Sequence, residues 1–262
     1  MNTQANLVNV HKFSSVVRGI LRRSGHDLTP FPMPAWYQQR DQLLPLLKKF
    51  SINCVLDVGA HTGEFARFMR SIGYTGKILS FEPVSQSYSR VSAMAAGDDA
   101  WTVHQVALGR EDGEAEINVT DSTEFCSMLA PNQFCYQQFG DKAAVRRKER
   151  VPVRALDALL RRNYQDQYRQ WRIFLKIDTQ GRDLDVIEGG LQSLPQVQML
   201  QTELSFQQIY HGMPAYADVL TRLQELRFRP AAFFPITRDA DSRIIEMDCL
   251  LIADHASEKI PN

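Results

Sequence analysis

The chain has 262 residues, of which 44% are hydrophobic and 23% charged, a balance that suits one large α/β domain plus an extension. Thirty basic and thirty acidic residues cancel, so net charge gives no argument for nucleic acid or an anionic membrane as partner. No run reaches the roughly 20 apolar residues of a membrane span, and the start lacks the basic-then-apolar order of a signal peptide.

Cys54, Cys126, Cys135 and Cys249 form no C-x-x-C pair and no zinc-ligand spacing. Cys54 and Cys249 lie in apolar runs, which predicts core thiols and a reducing cytoplasm. The basic, mildly amphipathic segment Val8 to Arg23 reads as a packed helix or loose arm, with peripheral membrane contact as the other use. The proline-rich Thr29 to Pro34 closes that extension. Ala35 to Phe50 reads as a helix, with Pro45 predicting a kink or a late start.

Strands and helices then alternate. Ile52–Val58 is the first strand and Glu64–Ile72 a helix that ends at Gly73. Lys77–Phe81 is the second strand, Ser85–Ala96 a helix and Trp101–Val106 the third strand. Strands separated by single helices imply right-handed crossovers and a parallel sheet. Gly113–Val119 alternates as a solvent-edged strand. Residues 121 to 150 are polar, aperiodic and dotted with aromatics, which reads as a substrate-side insertion or lid. After it come a short strand (Val151–Arg154), a helix (Ala155–Tyr164), an apolar strand (Trp171–Ile177), a helix (Asp183–Gly190), a strand (Val197–Glu203) and a helix (Tyr216–Leu226). Phe228–Phe234 and Ile244–Ile252 read as a closing pair that adds an antiparallel edge.

The chemistry concentrates at predicted strand ends. Val55-Leu56-Asp57-Val58-Gly59-Ala60-His61-Thr62-Gly63-Glu64-Phe65 is a buried strand entering a glycine-bearing turn and a helix. Glycines without Cβ atoms allow close approach of a ligand, and the helix start offers unpaired N–H groups to a carboxylate. S-adenosylmethionine carries such a carboxylate, and Asp57 would take its ammonium directly or through water. A dinucleotide fingerprint needs G-x-G-x-x-G. Here His61 stands where the middle glycine would lie. Glu82, followed by Pro83, ends the second strand and suits both ribose hydroxyls. Gln105, or the backbone of Val106, lies where adenine would sit.

Lys176 and Asp178 share a face of their strand. A lysine in so apolar a strand needs a partner, which Asp178 or Glu203 would supply. Two carboxylates at one crevice provide a general base and an orienting group, so Asp178 and then Glu203 are the base candidates. His211 is a weaker one. No ligand set for a metal stands out among the histidines.

The glycine turn, Phe81-Glu82-Pro83, Ala107-Leu108-Gly109, Lys176-Ile177-Asp178-Thr179-Gln180-Gly181 and Glu203 together resemble the FkbM family of S-adenosylmethionine-dependent methyltransferases, over about residues 50 to 252. The resemblance implies a class I methyltransferase fold: a doubly wound, Rossmann-like seven-stranded sheet with an antiparallel last strand. It implies O-methylation of a hydroxyl on a sugar, glycolipid or polyketide-type acceptor, free or lipid-linked. The expected organisation is an N-terminal helical extension over 1–50 and a methyltransferase domain over 51–262. The expected cofactor set is Asp57, Gly59, Ala60, His61, Gly63, Phe65, Glu82, Pro83, Gln105, Val106 and Asp178. The family often carries K-I-D-V-E-G where this chain has Thr179-Gln180, so the role of that glutamate is the point of departure. Rival readings are a non-catalytic nucleoside-binding module, an NAD-dependent oxidoreductase and a nucleic-acid methyltransferase, whose basic stripe would have to come from Arg146-Arg147-Lys148 and Arg161-Arg162, more simply solvated charge runs.

Overall fold

Apolar runs too short for helices and free of polar alternation become strands covered on both faces. Cys54–Val58 (β1) and Ile173–Ile177 (β7) are such runs, and every residue of both is buried. They lie side by side in parallel, with Cys54 opposite Ile173 and Asp57 opposite Lys176. The structure is a computed structural model that describes residues 35–256. The Val8 to Arg23 segment and the Thr29 to Pro34 linker lie outside the described residues. Ala35–Asp41 belong to a first compact unit and the chain from Gln42 to a second, which holds every strand.

The helix Ala35–Lys49 (α1) runs through Pro45 without a late start. Its Leu43 and Leu47 are buried in the core. After β1 come Glu64–Ser71 (α2), Lys77–Phe81 (β2), Ser85–Ala95 (α3), Trp101–His104 (β3), Ala107–Gly109 (β4) and Gly113–Thr120 (β5). Next are Gln133–Phe139 (α4), Val145–Ala155 (β6), Leu156–Tyr164 (α5), β7 and Asp183–Glu188 (α6). Val197–Ser205 (β8), Tyr216–Glu225 (α7), Phe228–Arg238 (β9) and Ile244–Ala253 (β10) complete the order. Gly73 ends α2 as expected, at φ 94°, with its N–H on the Arg70 carbonyl.

The main sheet has seven strands in the order β3-β2-β1-β7-β8-β10-β9. Only β10 runs against its neighbours, β8 and β9. The sequence pattern puts the antiparallel strand at the edge. It sits inside instead, and β9 is the edge. This is the class I methyltransferase topology that the resemblance implies.

A second sheet, in the order β4-β6-β5, departs from expectation. Ala107–Gly109 is not part of the third strand but a separate one, parallel to β6. The strand expected at Val151–Arg154 begins at Val145 and pairs antiparallel with β5. Its exposed cations meet acids of β5 and the turn after it: Lys148 Nζ lies 3.0 Å from Glu116 Oε2 and Arg146 Nε 3.3 Å from Asp121 Oδ1. Arg150 pairs likewise with Glu114. Arg146 and Lys148 are thus paired away from their own strand, while Arg147 pairs along it with Glu149.

The rest of the 121–150 stretch holds a 3-10 turn, Thr123–Phe125, and α4. Cys135 and Ala143 from this stretch join Ile209, Tyr210, Met213 and Ile245 in a small core of their own.

Candidate active site

The strand ends β1, β2, β7 and β8 meet at one edge, because parallel neighbours put their carboxyl ends together. Gly59 follows β1 at φ 75°, and a Cβ there would lie 1.8 Å from the Asp178 carbonyl oxygen. Glycine is therefore required here by the neighbouring β7 loop. Gly63, at φ 93°, precedes α2, and a Cβ there would press on Trp101 and Val91 at 3.1 Å. His61 and Gln180 adopt positive φ, 49° and 53°, in the two loops after β1 and β7. Non-glycine residues held this way cluster at functional sites.

Glu82 is buried at the end of β2. Its two carboxyl oxygens accept from the His61 and Val84 N–H groups, each at 2.8 Å. Burial pushes its pKa up to about 7 despite those donors. One lone pair remains on each oxygen, as a vicinal diol would require. Pro83 is half-buried beside it. Ala60 is buried and its N–H bonds the Phe81 carbonyl at 3.1 Å. His61 Nε2 lies 2.6 Å from Thr123 Oγ1 and Nδ1 3.3 Å from Glu64, which ties the turn to the insertion. Gln105 is exposed and donates to Ser85 Oγ at 3.0 Å, while Val106 is buried.

A polar network crosses the sheet beneath the crevice. Trp101 Nε1 donates to Ser80 Oγ at 2.9 Å, which donates to Asp57 Oδ2 at 3.2 Å. Lys176 Nζ lies 3.7 Å from Asp57 Oδ1 and 3.2 Å from Asp178 Oδ2. The Phe65 ring caps the same ammonium, with its centroid at 5.6 Å. Gln180 Nε2 donates to Asp178 Oδ1 at 2.9 Å and to Glu203 Oε2 at 3.3 Å, while its Oε1 accepts from Tyr210 at 2.8 Å. The partners of Lys176 are thus Asp178 and Asp57. Glu203, the other partner expected, is held by Gln180.

Asp57 has no exposed surface. Its carboxylate meets Lys176 and Ser80 in the network rather than lying open in the crevice, and Oδ1 has no hydrogen-bond donor among the described residues. Burial opposes charge on both Lys176 and Asp178. Their attraction outweighs it, holding Lys176 above and Asp178 below its usual range. Burial raises Glu203, and the facing carboxylates Glu246 and Asp178 add to this. Glu203 lines a small cleft of about 20 Å³ with Asp183, Ser205, Met213 and Tyr216. His211 is exposed.

Glu246 on β10 escaped the sequence reading. It is buried and stands diagonally across the β8–β10 pair from Glu203. The available signal was Glu246 and Asp248 at i and i+2 in an apolar strand, which puts two acids on one face. No cluster of three or more metal-binding side chains occurs among the described residues.

A seven-stranded sheet of this order, with acidic residues at the ends of β1, β2 and β7, defines a class I methyltransferase. The methyltransferase FkbM domain matches residues 57–230. The chain belongs to the FkbM methyltransferase family, and its methyl donor is S-adenosylmethionine. The acceptor atoms at the crevice fit that molecule: the Asp178 carboxylate and the free lone pairs on Glu82. No curated protein matches the chain in sequence. Similar solved structures include magnesium protoporphyrin IX methyltransferase from Synechocystis PCC 6803, with TM-score 0.44 and 8% identity over 84% of this chain and 80% of that one. Another is a putative tRNA (m1A22) methyltransferase from Streptococcus pneumoniae, with TM-score 0.45 and 14% identity over 81% and 72%. These likenesses carry no argument about substrate.

Proposed function

We propose that this chain transfers the methyl group of S-adenosylmethionine to a hydroxyl oxygen of a small-molecule, glycan or lipid-linked acceptor. The observation that carries the reading is the row Asp57–Lys176–Asp178–Gln180–Glu203, which sets two differently tuned carboxylates side by side at the crevice. The bound cofactor supplies an already activated methyl on a sulfonium. The protein's tasks are alignment, exclusion of water and removal of the acceptor's proton.

The two base candidates divide these tasks. Asp178, kept anionic by Lys176, is a weak proton acceptor and serves as a fixed negative charge for the cofactor. Glu203, raised by its neighbours, holds a proton more tightly and is the better base. Glu82 takes the ribose hydroxyls, and the His61–Gly63 turn with the start of α2 takes the carboxylate. Gln105 and Val106 border the adenine. The domain extends over 51–262, with 121–150 as the acceptor-side insertion and 1–50 as an extension. Thr123 on His61, and Ser127 Oγ on the Gln180 carbonyl at 2.7 Å, support that place for the insertion. Four free thiols support a reducing cytoplasm. No helix among the described residues is long and apolar enough to cross a membrane.

Labelled methyl transfer into a hydroxyl-bearing cell extract, alongside thermal unfolding with S-adenosylhomocysteine and NAD, tests the reading. The expected result is label in an alkali-stable ether, and a melting shift with S-adenosylhomocysteine that Glu82→Ala abolishes. Ligand at about a hundred times its dissociation constant contributes roughly 2.7 kcal/mol. A shift without label in any fraction would favour a non-catalytic binding module. A shift with NAD alone would favour an oxidoreductase.

A further inference from the structure

Glu203 on β8 and Glu246 on β10 lie on one face of the main sheet. Glu246 stands opposite Ser205, and Asp248 opposite Glu203, so the two glutamates are diagonal neighbours across an antiparallel pair. Each carboxyl lies close enough to the other to shift its titration. Two carboxyl groups share a hydrogen bond only when one carries a proton, because ionised carboxylates are acceptors alone.

The surroundings enforce that proton. Facing Glu203 are Asp178 from the end of β7, Asp183 from α6, Asp248 and Glu246 from β10, and Tyr210 from the loop after β8. Lys176 is the cation of this group, and it is engaged by Asp57 and Asp178. Thr237 on β9 stands opposite Glu246. Asp183 is satisfied elsewhere, accepting from the Thr179 N–H at 2.9 Å and from Thr202 Oγ1 at 2.6 Å. Asp178 and Glu246 face Glu203 in this buried place, so ionising both glutamates would set like charges in contact. Both pKa values are raised, by burial first.

We infer that Glu203 and Glu246 form one carboxyl pair sharing a single proton, and that this pair, with Glu246 as the positioning residue, receives the acceptor's hydroxyl proton. The inference rests on the methyl-transfer reading above. In the reacting complex the acceptor oxygen forms its bond to the methyl carbon as the carbon–sulfur bond breaks, and the sulfonium becomes a neutral thioether. The acceptor's proton passes to the cleft-facing oxygen of Glu203. The proton that Glu203 already holds moves to Glu246. The pair goes from one negative charge to none, which balances the positive charge lost from sulfur. Gln180 is neutral and bridges Asp178 to Glu203 without adding a further carboxylate to the group.

Carbon-13 labelling at the glutamate side-chain carboxyl reads the pair without any acceptor. The protein with S-adenosylhomocysteine bound is titrated beside Glu203→Gln and Glu246→Gln. Two coupled steps are expected, one well above the ordinary glutamate value of about 4.3. Either substitution should collapse them to one lower step. The extract assay then follows single-turnover transfer against pH. Glu246→Gln should move the rising limb of the profile to lower pH and slow transfer about tenfold or more at its plateau, with S-adenosylhomocysteine affinity unchanged. Glu246→Asp, which keeps a carboxyl, should restore part of the upper limb and stands in if the glutamine variant does not fold. Two independent titrations at ordinary values would overturn the pair. A coupled titration with an unmoved pH profile would overturn its proton role. A wild-type protein that binds S-adenosylhomocysteine but labels nothing would sink the methyl-transfer reading, and this inference with it.

Discussion

The two sheets handle charge in opposite ways. In the β4-β6-β5 sheet, cations of β6 meet acids of β5 and of the turn after it, and both members of these pairs are exposed. On the main sheet one lysine meets Asp57, Asp178 and, through the field, Asp248, with Glu203 and Glu246 beyond. Water screens the first arrangement, so its pairs are nearly interchangeable with other polar surface. The second is shielded, so its imbalance persists. A buried excess of negative charge is costly unless a cation joins it, and a sulfonium ligand is such a cation.

Three experiments sharpen that contrast. The largest effect is expected at Lys176. Lys176→Met leaves Asp57 as an uncompensated buried charge and should lower stability by about 3–5 kcal/mol in urea unfolding. A loss under about 1 kcal/mol would mean that Asp57 is already neutral in the folded protein.

The next concerns Glu82, a carboxyl raised from 4.5 to about 7. A raised acid keeps its proton in the folded state where the unfolded chain has lost it. Its stabilising contribution is complete below about pH 4.5 and is lost as pH rises through about 7. Ligand-free stability should therefore fall across that interval, by roughly 1–3 kcal/mol for this group. Glu82→Gln should flatten the slope. An unchanged slope would assign it to other groups.

The smallest effect belongs to the exposed pairs. Lys148→Ala should cost no more than about 1 kcal/mol. Added salt should shrink that difference further. A larger loss would make the small sheet's ion pairs structural after all.

Most of the main sheet was legible in the sequence because its strands are short apolar runs between amphipathic helices, and that period survives in the fold. The small sheet was not. Ala107–Gly109 follows β3 so closely that it reads as the same strand. The first half of β6, Val145–Arg150, shows no apolar alternation, because its outward cations are matched by acids far away in sequence rather than by a core. At the site, Asp57, Glu82, Asp178 and Glu203 were found from their places at strand ends. Their partnerships were not. That Lys176 reaches back to Asp57 depends on the register of β1 against β7, and that Glu203 meets Glu246 depends on which strand lies beside β8. Both are facts of pairing, which local pattern does not encode.

The place of β10 has a consequence for the order in which the protein is assembled during synthesis. β9 emerges before β10 yet reaches the sheet only through it. Until Ile244–Ala253 has left the ribosome, β8 keeps an open edge and Glu203 faces no Glu246. Premature termination before Ile244 would thus remove two strands from the sheet, not one, and would do so beside the paired carboxyls. The sheet beside β8 and the face that carries Glu203 and Glu246 are thus completed in the same late step.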